Sequence, residues 1–503
     1  MFEQSEVIAT FSIILLALGF LAWGFRRAKS YGKLGILAWL QSVVLMLPWL
    51  LFFGLFAAGI YLNIVGILFL LVASTGVYIY LGNRLRSEGQ EELLRERAQE
   101  RLQELENQKA KVSDNTTDLN LETAKITPEV LPIPEADLQN IKGIFGIDTF
   151  FATETISYQE GAIFKGNLRG EPDKVYTRLS RNLEERLGDK YRLFLVESPE
   201  AKPVVIILPS SDDPQSPTTP QKILAVALLV ATIATTFEAA GLLLGFDLFS
   251  NFSRYQETLP LGVGLFIILA SHEIGHFVWA NRYQVSLSWP FLLPSWQIGA
   301  FGAITRFASL IPTRSALFDI SFAGPAIGGI VSLVMLLSGL ILSHPGSTFQ
   351  IPTGFFQGSI LVGTLAKTIL GSSLQGELVD VHPLTVIGWL GLVITALNLM
   401  PAGQLDGGRI IQAIYGRKIA RRTTVATLIF LGIIALINPV NPIPLYWGIL
   451  IIFLQRSLER PTLNELTEPD DTRAAFGLLA LFLMLATLIP LSPSLAGRLG
   501  IGS

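Results

Sequence analysis

Along most of this chain apolar residues come in runs long enough to cross a lipid bilayer, which takes about 20 residues as a helix. Such runs fall at Val7–Phe25, stopped by Arg26-Arg27-Ala28-Lys29, at Leu34–Phe56, and in a third stretch ending near Gly82. They resume at Ile223–Gly245, Leu259–Arg282 and Leu317–Leu342, again from near Thr385, on both sides of the Asn438-Pro439-Val440-Asn441-Pro442 turn, and at Ala474–Leu491. The pattern predicts a polytopic α-helical membrane protein of about ten transmembrane helices.

Between the third and fourth runs the periodicity changes. Residues 84–111 are dense in charge, with Leu94, Ala98, Leu102 and Leu105 as a narrow stripe. A solvated linker helix accounts for this more simply than a partner-docking coiled coil. A polar linker follows, and from Ile133 to about Pro209 the pattern is that of a small soluble α/β domain inserted before the membrane core. Helices are expected at Glu135–Phe145 and Asp173–Leu187, the latter with Val175, Leu179, Leu183 and Leu187 on one face. Strands are expected at Asp148–Tyr158, Gly161–Leu168, Tyr191–Glu197 and Pro203–Leu208. This domain shows no phosphate loop, nucleophile elbow or metal cluster, so its expected role is regulatory.

Composition narrows the chemistry. Half of the 503 residues are hydrophobic and only 15% are charged, and the net charge of −3 gives no reason to expect a nucleic acid partner. With no cysteine, disulfides, thiolate metal sites and cysteine nucleophiles are excluded. Only four histidines are available to a nitrogen-rich metal site: His272, His276, His344 and His382. Arg and Lys clusters at 26–33, 84–86, 222, 282, 314, 409–422 and 456–460 all fall on one side if the N-terminus faces out, which places the soluble domain on the cytoplasmic or stromal side.

Two of those histidines sit in Ser271-His272-Glu273-Ile274-Gly275-His276, inside an apolar run. On a helix the spacing of four puts His272 and His276 on one face, where two imidazoles can take two corners of a zinc site. Glu273 beside them can take a proton from a water activated by the metal. A chance HExxH on a soluble helix is the plain alternative, but ionisable groups in hydrocarbon are costly and mark function. His344 and His382 fall in an outer loop and are read as non-ligands. For a third ligand the strongest candidate is Asp406, in Asn398-Leu399-Met400-Pro401-Ala402-Gly403-Gln404-Leu405-Asp406-Gly407-Gly408. Pro401 and the glycines should break that helix before Asp406. By itself Asp406 reads as the N-cap of a helix over Gly407–Tyr415; the matching depth of the histidine helix favours the metal. Asn398 could bond a substrate carbonyl or oxyanion, or make an interhelical contact. Trp296–Phe307 could form a re-entrant hairpin that pairs with an extended substrate, or a plug. Glu238 could line a water path, with a short interhelical hydrogen bond the simpler account. Gly324-Pro325 reads as tight helix packing.

Taken together, His272-Glu273-Ile274-Gly275-His276 and Asn398, Pro401, Leu405, Asp406 and Gly407 resemble the HExxH and NxxPxxxLDG motifs of the site-2 protease family of intramembrane zinc metalloproteases. Gly299-Ala300-Phe301-Gly302-Ala303-Ile304 and Phe322-Ala323-Gly324-Pro325 resemble that family's membrane hairpin and the start of its next helix. Gly166-Asn167-Leu168-Arg169-Gly170 and the Pro401–Gly408 segment are similar to its EGY-like branch of chloroplasts and cyanobacteria. The resemblance implies one Zn2+ held by His272, His276 and Asp406, Glu273 as catalytic base, and membrane protein substrates. The resemblance covers roughly residues 222–460, and the runs and linkers along the chain give a domain order of three-helix membrane anchor (1–83), charged helix and linker (84–127), α/β domain (128–210), catalytic membrane core (222–460) and C-terminal transmembrane segment (461–503). No PDZ insertion is evident between the motifs. The lack of a transit-peptide pattern favours a bacterial plasma or thylakoid membrane. The rival function is a transporter or metal carrier using the same His/Asp cluster; substrate, trigger and oligomeric state stay open.

Overall fold

The structure is a computed structural model that describes residues 32–57, scattered positions between 19 and 85, and residues 133–501 apart from 159, 199, 297, 439, 440 and 456. The expected first and third spans and the charged helix and linker of 84–127 lie wholly or mostly outside the described residues. Two compact units are distinguished, one holding residues up to 126 with Leu428–Phe453 and the other Thr127–Thr427 with Leu454–Ser503.

In the first unit, helix α1 (Gly32–Ala57) covers the expected second span. The unit also holds the end of a long helix beyond Leu428, followed by a short helix over Ile443–Leu450. Ala435 and Leu445 are buried against each other across the turn between them.

The second unit begins with the α/β domain: α2 (Glu135–Lys142), β1 (Phe150–Tyr158), β2 (Gly161–Leu168), α3 (Pro172–Leu187), β3 (Tyr191–Glu197) and β4 (Pro203–Pro209). The strands form an antiparallel sheet in the order β1-β2-β4-β3. Helix α3 starts on Pro172, where a missing N–H costs nothing, and ends at Gly188. Its buried Val175, Leu179 and Leu183 recur every four residues and close over Phe150, Phe164, Leu195 and Ile207, all fully buried. These elements match the sequence expectation within a few residues.

The membrane core follows as α4 (Thr219–Leu243), α5 (Tyr255–Arg282), the hairpin β5 (Phe291–Ser295) and β6 (Gly299–Ile304), and α6 (Arg314–Leu342). A ribbon of β7 (Phe349–Pro352) and β8 (Leu378–Val381) encloses α7 (Ile360–Leu370); then come α8 (Pro383–Asn398), α9 (Asp406–Ile437) and α10 (Ile443–Leu450), of which the part from Leu428 on belongs to the first unit, and α11 (Asp471–Leu488) and α12 (Pro493–Leu499). Among the described residues five helices are long and apolar enough to cross a membrane: α4, Phe252–Arg282, α6, α9 and α11. Three further apolar helices are shorter, so the described residues do not show ten full-length spans. The reasons are local: α8 ends after 16 residues, short of Pro401, and α10 gives way to a π turn at Ile451–Gln455.

The spanning stretch of α5 is half buried, whereas that of α11 is only 22% buried and shows Phe476, Leu478, Leu479 and Phe482 on its surface. Apolar residues all round a helix without protein cover are what a lipid-facing helix presents. Behind α5, α6 and α8 cross at glycines: a Cβ at Gly388 would lie 2.3 Å from Leu336 N, and one at Gly339 2.2 Å from Thr385 N. Only a bare backbone permits that approach.

A strap after the π turn ties the α/β domain to this core. Leu195 of β3 donates to Leu463 O at 2.8 Å and accepts from Glu465 N at 2.9 Å. On its other side Leu463 donates to Ile311 O and Asn464 to Pro312 O, at 2.9 and 3.0 Å. The strap therefore extends the sheet beyond β3 and also holds the start of α6. Buried Asn464 further donates to Asp173 at the N-terminus of α3, at 2.7 Å.

Candidate metal centre

Helix α5 carries His272 and His276 one turn apart on its buried face, 8% and 4% exposed. Chain break and restart supply the third group. Helix α8 ends at Asn398, residues 399–405 turn, and α9 begins at Asp406, as the proline and glycines predict. Asp406 is the first residue of that helix rather than the residue before it, and its carboxylate faces the histidines. A kink at Gly416, φ +78°, closes the first segment of that helix near the expected Tyr415.

His272 Nε2 lies 3.1 Å from Asp406 Oδ2, His276 Nε2 lies 3.5 Å from Asp406 Oδ1, and the two Nε2 atoms are 3.2 Å apart. The His276 Nδ1 sits 2.7 Å from the Ile320 carbonyl, which can only accept, so Nδ1 carries the hydrogen. In the neutral ring Nε2 then turns its lone pair toward the carboxylate and the other imidazole. Converging acceptors repel unless a cation lies among them. Tetrahedral zinc with arms of about 2.0–2.1 Å has ligand–ligand edges of about 3.3 Å, and the three separations bracket that value. The donor set fits zinc. Glycines make room for it: a Cβ at Gly324 would lie 2.2 Å from His276 Nε2, and one at Gly328 3.0 Å from His272 Cβ. The packing expected at Gly324 is thus packing against a candidate ligand.

Glu273 is half-buried between the cluster and the hairpin, and a ligand atom from each of His272, Glu273 and His276 falls within 4.8 Å of the others. Thr305, just past β6, donates its hydroxyl to Glu273 Oε2 at 2.6 Å. The Thr305 carbonyl accepts from Arg409 Nη2 at 2.9 Å, and Arg409 in turn pairs with Glu459 at 2.9 Å. Thr305, Arg409 and Glu459 were not singled out from sequence. The one local hint is that Arg409 stands three residues after Asp406 and so shares its helix face.

The hairpin begins five residues earlier than the 296–307 segment suggested, because Pro294 sits in β5. A register shift between Leu292 and Pro294 absorbs it, as prolines in strands require. Thr235 of α4 donates to Gly299 O at the hairpin tip, at 2.7 Å. Asn398 donates to Ile394 O at 3.0 Å and to Phe301 O at 3.4 Å, so it ties α8 to β6. Gly302, φ +107°, faces it where a Cβ would lie 2.5 Å from Asn398 Nδ2. Two cavities of about 10 Å³, each room for one water, adjoin Glu273 and Asn398.

The remaining candidates lie elsewhere. His344 Nδ1 contacts its neighbour's carbonyl and His382 caps α8, accepting from Leu384 N. Fully buried Glu238 accepts from Leu248 N at 3.0 Å, a bond to the following loop rather than to another helix.

The fold and this centre are those of a polytopic helical protein with a candidate metal site buried among its apolar helices. The profile described as Peptidase family M50 matches residues 261–438, and EGY3 middle domain matches residues 139–215. The chain is 38% identical over 366 residues to "Probable zinc metalloprotease EGY2, chloroplastic" of Arabidopsis thaliana, covering 71% of this chain and 65% of that protein. It is 34% identical to "Probable zinc metalloprotease EGY1, chloroplastic" of the same plant, covering 74% of each. With "Probable zinc metallopeptidase EGY3, chloroplastic" the identity is 34%, over 70% of this chain and 65% of the relative. The chain belongs to the site-2 protease family, peptidase family M50, in its EGY-like branch. It spans slightly less than two thirds of the length of the EGY2 and EGY3 relatives from Arabidopsis. No solved structure matches it.

Proposed function

We propose that this protein is a zinc-dependent endopeptidase that cuts membrane-embedded proteins within the bilayer. The observation that carries the reading is the meeting of His272, His276 and Asp406, the last 134 residues from the first, at tetrahedral-edge distances in an apolar setting. These three would hold the zinc, which when bound supplies Lewis-acid activation of water and of the scissile carbonyl. Glu273 takes a proton from the attacking water as its oxygen bonds to the carbonyl carbon. It then delivers that proton to the amide nitrogen as the C–N bond breaks. Asn398 would hold the substrate carbonyl by exchanging its longer bond, to Phe301, for one to the substrate.

Cavities of one-water size do not admit a peptide, so the hairpin must move for an unwound substrate to reach Glu273. The five long helices, the three shorter ones and the two apolar runs outside the described residues make the ten-span reading. In that topology the α/β domain and the opening of the site face the cytoplasm or stroma, in a bacterial plasma or thylakoid membrane. The relatives reported above are named as zinc metalloproteases or metallopeptidases, which supports the peptidase over the carrier reading. The test is cleavage of a fluorescent transmembrane substrate by the purified full-length protein. Glu273→Gln should abolish cleavage and keep zinc; cleavage at the wild-type rate would end this reading.

A further inference from the structure

We propose that Thr305 is the positioning residue for Glu273, and that the buried Arg409–Glu459 pair fixes Thr305 from behind. The inference rests on the reading of Glu273 as the base.

A glutamate has three rotatable bonds, and a base must meet its proton within a few tenths of an ångström of a fixed line. Helix α5 fixes only the Glu273 backbone. The Thr305 hydroxyl, 2.6 Å from Oε2, removes the remaining freedom of the carboxylate and leaves Oε1 to take the proton. Threonine suits this task because its branched Cβ restricts the χ1 rotation. Thr305 itself is 5% exposed and lies one residue past the end of β6.

What holds Thr305 is unusual for an apolar core. Arg409 Nη2 donates to its carbonyl at 2.9 Å. The same guanidinium lies 4.7 Å from the centre of the Phe307 ring, and its Nε and Nη2 reach Glu459 Oε2 at 3.1 and 2.9 Å. Arg409 therefore grips the strand exit at two points, Thr305 and Phe307. A buried ion pair is a poor source of stability compared with packed apolar side chains. Its presence beside Glu273 is accounted for by what it orients. Arg409 is also three residues from Asp406 on α9, so one helical turn places both the candidate third ligand and the clamp on the base. Glu459 is anchored in its turn, its carbonyl accepting from Gln412 at 3.2 Å and from Arg417.

The test uses full-length protein with the fluorescent transmembrane substrate, reading kcat, KM and bound zinc. Thr305→Val keeps the shape and removes the donor. It should lower kcat about 10- to 100-fold, with KM within about twofold and zinc content unchanged, because only the orientation of the base is lost. Thr305→Ser, which restores the hydroxyl, should recover kcat to within about threefold of wild type. The proposal is overturned if Thr305→Val keeps wild-type kcat while Glu273→Gln is inactive. It is equally overturned if Thr305→Val loses zinc, or if Thr305→Ser is no better than Thr305→Val. An active Glu273→Gln would instead remove the functional reading beneath it, a result distinct from all three.

Discussion

Gly324→Ala adds a single methyl group to α6 and tests how closely His276 is confined. That carbon would stand 2.2 Å from Nε2, 2.6 Å from Cε1 and 2.7 Å from Cδ2 of the ring. Comfortable carbon contacts begin near 3.5 Å, so the imidazole or the helix must give way by about 1 Å. Retreat of the ring stretches its 2.7 Å bond to Ile320 O. Retreat of the helix would open the close backbone contact of α5 with α6, where a Cβ at Gly275 would lie 2.6 Å from Ala323 O, and so forfeit that packing. Overpacking of this kind costs about 1–3 kcal/mol, while replacing a helical glycine returns about 1 kcal/mol of propensity. Stability should thus fall by no more than about 2 kcal/mol. Function should suffer far more, since a misplacement of about 1 Å can cost about 100-fold in rate. Gly329→Ala is the control on the same helix, its Cβ meeting only Thr395 Cγ2 at an ordinary 3.6 Å. Zinc content, cleavage rate and melting temperature of both variants in detergent decide the matter. Gly324→Ala that keeps full zinc and a rate within about twofold of wild type would refute the confinement of His276.

Other expectations follow from the same contacts. Glu459→Gln leaves Arg409 buried without its counter-charge and should lower stability by about 3–5 kcal/mol, measured by denaturant unfolding. The double change Arg409→Met/Glu459→Leu should recover most of that stability without recovering cleavage, because nothing then grips the Thr305 carbonyl. In the α/β domain, burial and then the hydrogen bond to Asp137 push the Tyr191 phenol up to about 12. Its neutral form is favoured on folding, so its contribution is complete below the usual tyrosine value of about 10 and is lost as pH rises from there to about 12. An alkaline absorbance titration of Tyr191→Phe should show one late-ionising tyrosine fewer than wild type.

The parts of this molecule that were legible in sequence are those whose signal is local. His272 and His276 declare a shared face by spacing alone, and Pro401 with its glycines marks the break that presents Asp406. The apolar run in Tyr191–Glu197 and the four-residue stripe of α3 marked the α/β domain nearly residue by residue. What escaped depends on contact between remote segments. Thr305 and Arg409 are 104 residues apart, Arg409 and Glu459 50, and no periodicity links them. Pro294 disguised the first strand of the hairpin, since a proline argues against a strand unless a bulge receives it. The β7–β8 ribbon, read as outer loop, has strands of four residues, too short to show an alternation.

The central claim is that residues distant in sequence share one metal ion, and elemental analysis of purified protein tests it most directly. Wild-type protein should carry about one zinc per chain, the number a His-His-carboxylate site holds. Asp406→Ala should remain folded and lose most of that zinc. Asp406→Ala with undiminished zinc would contradict the account.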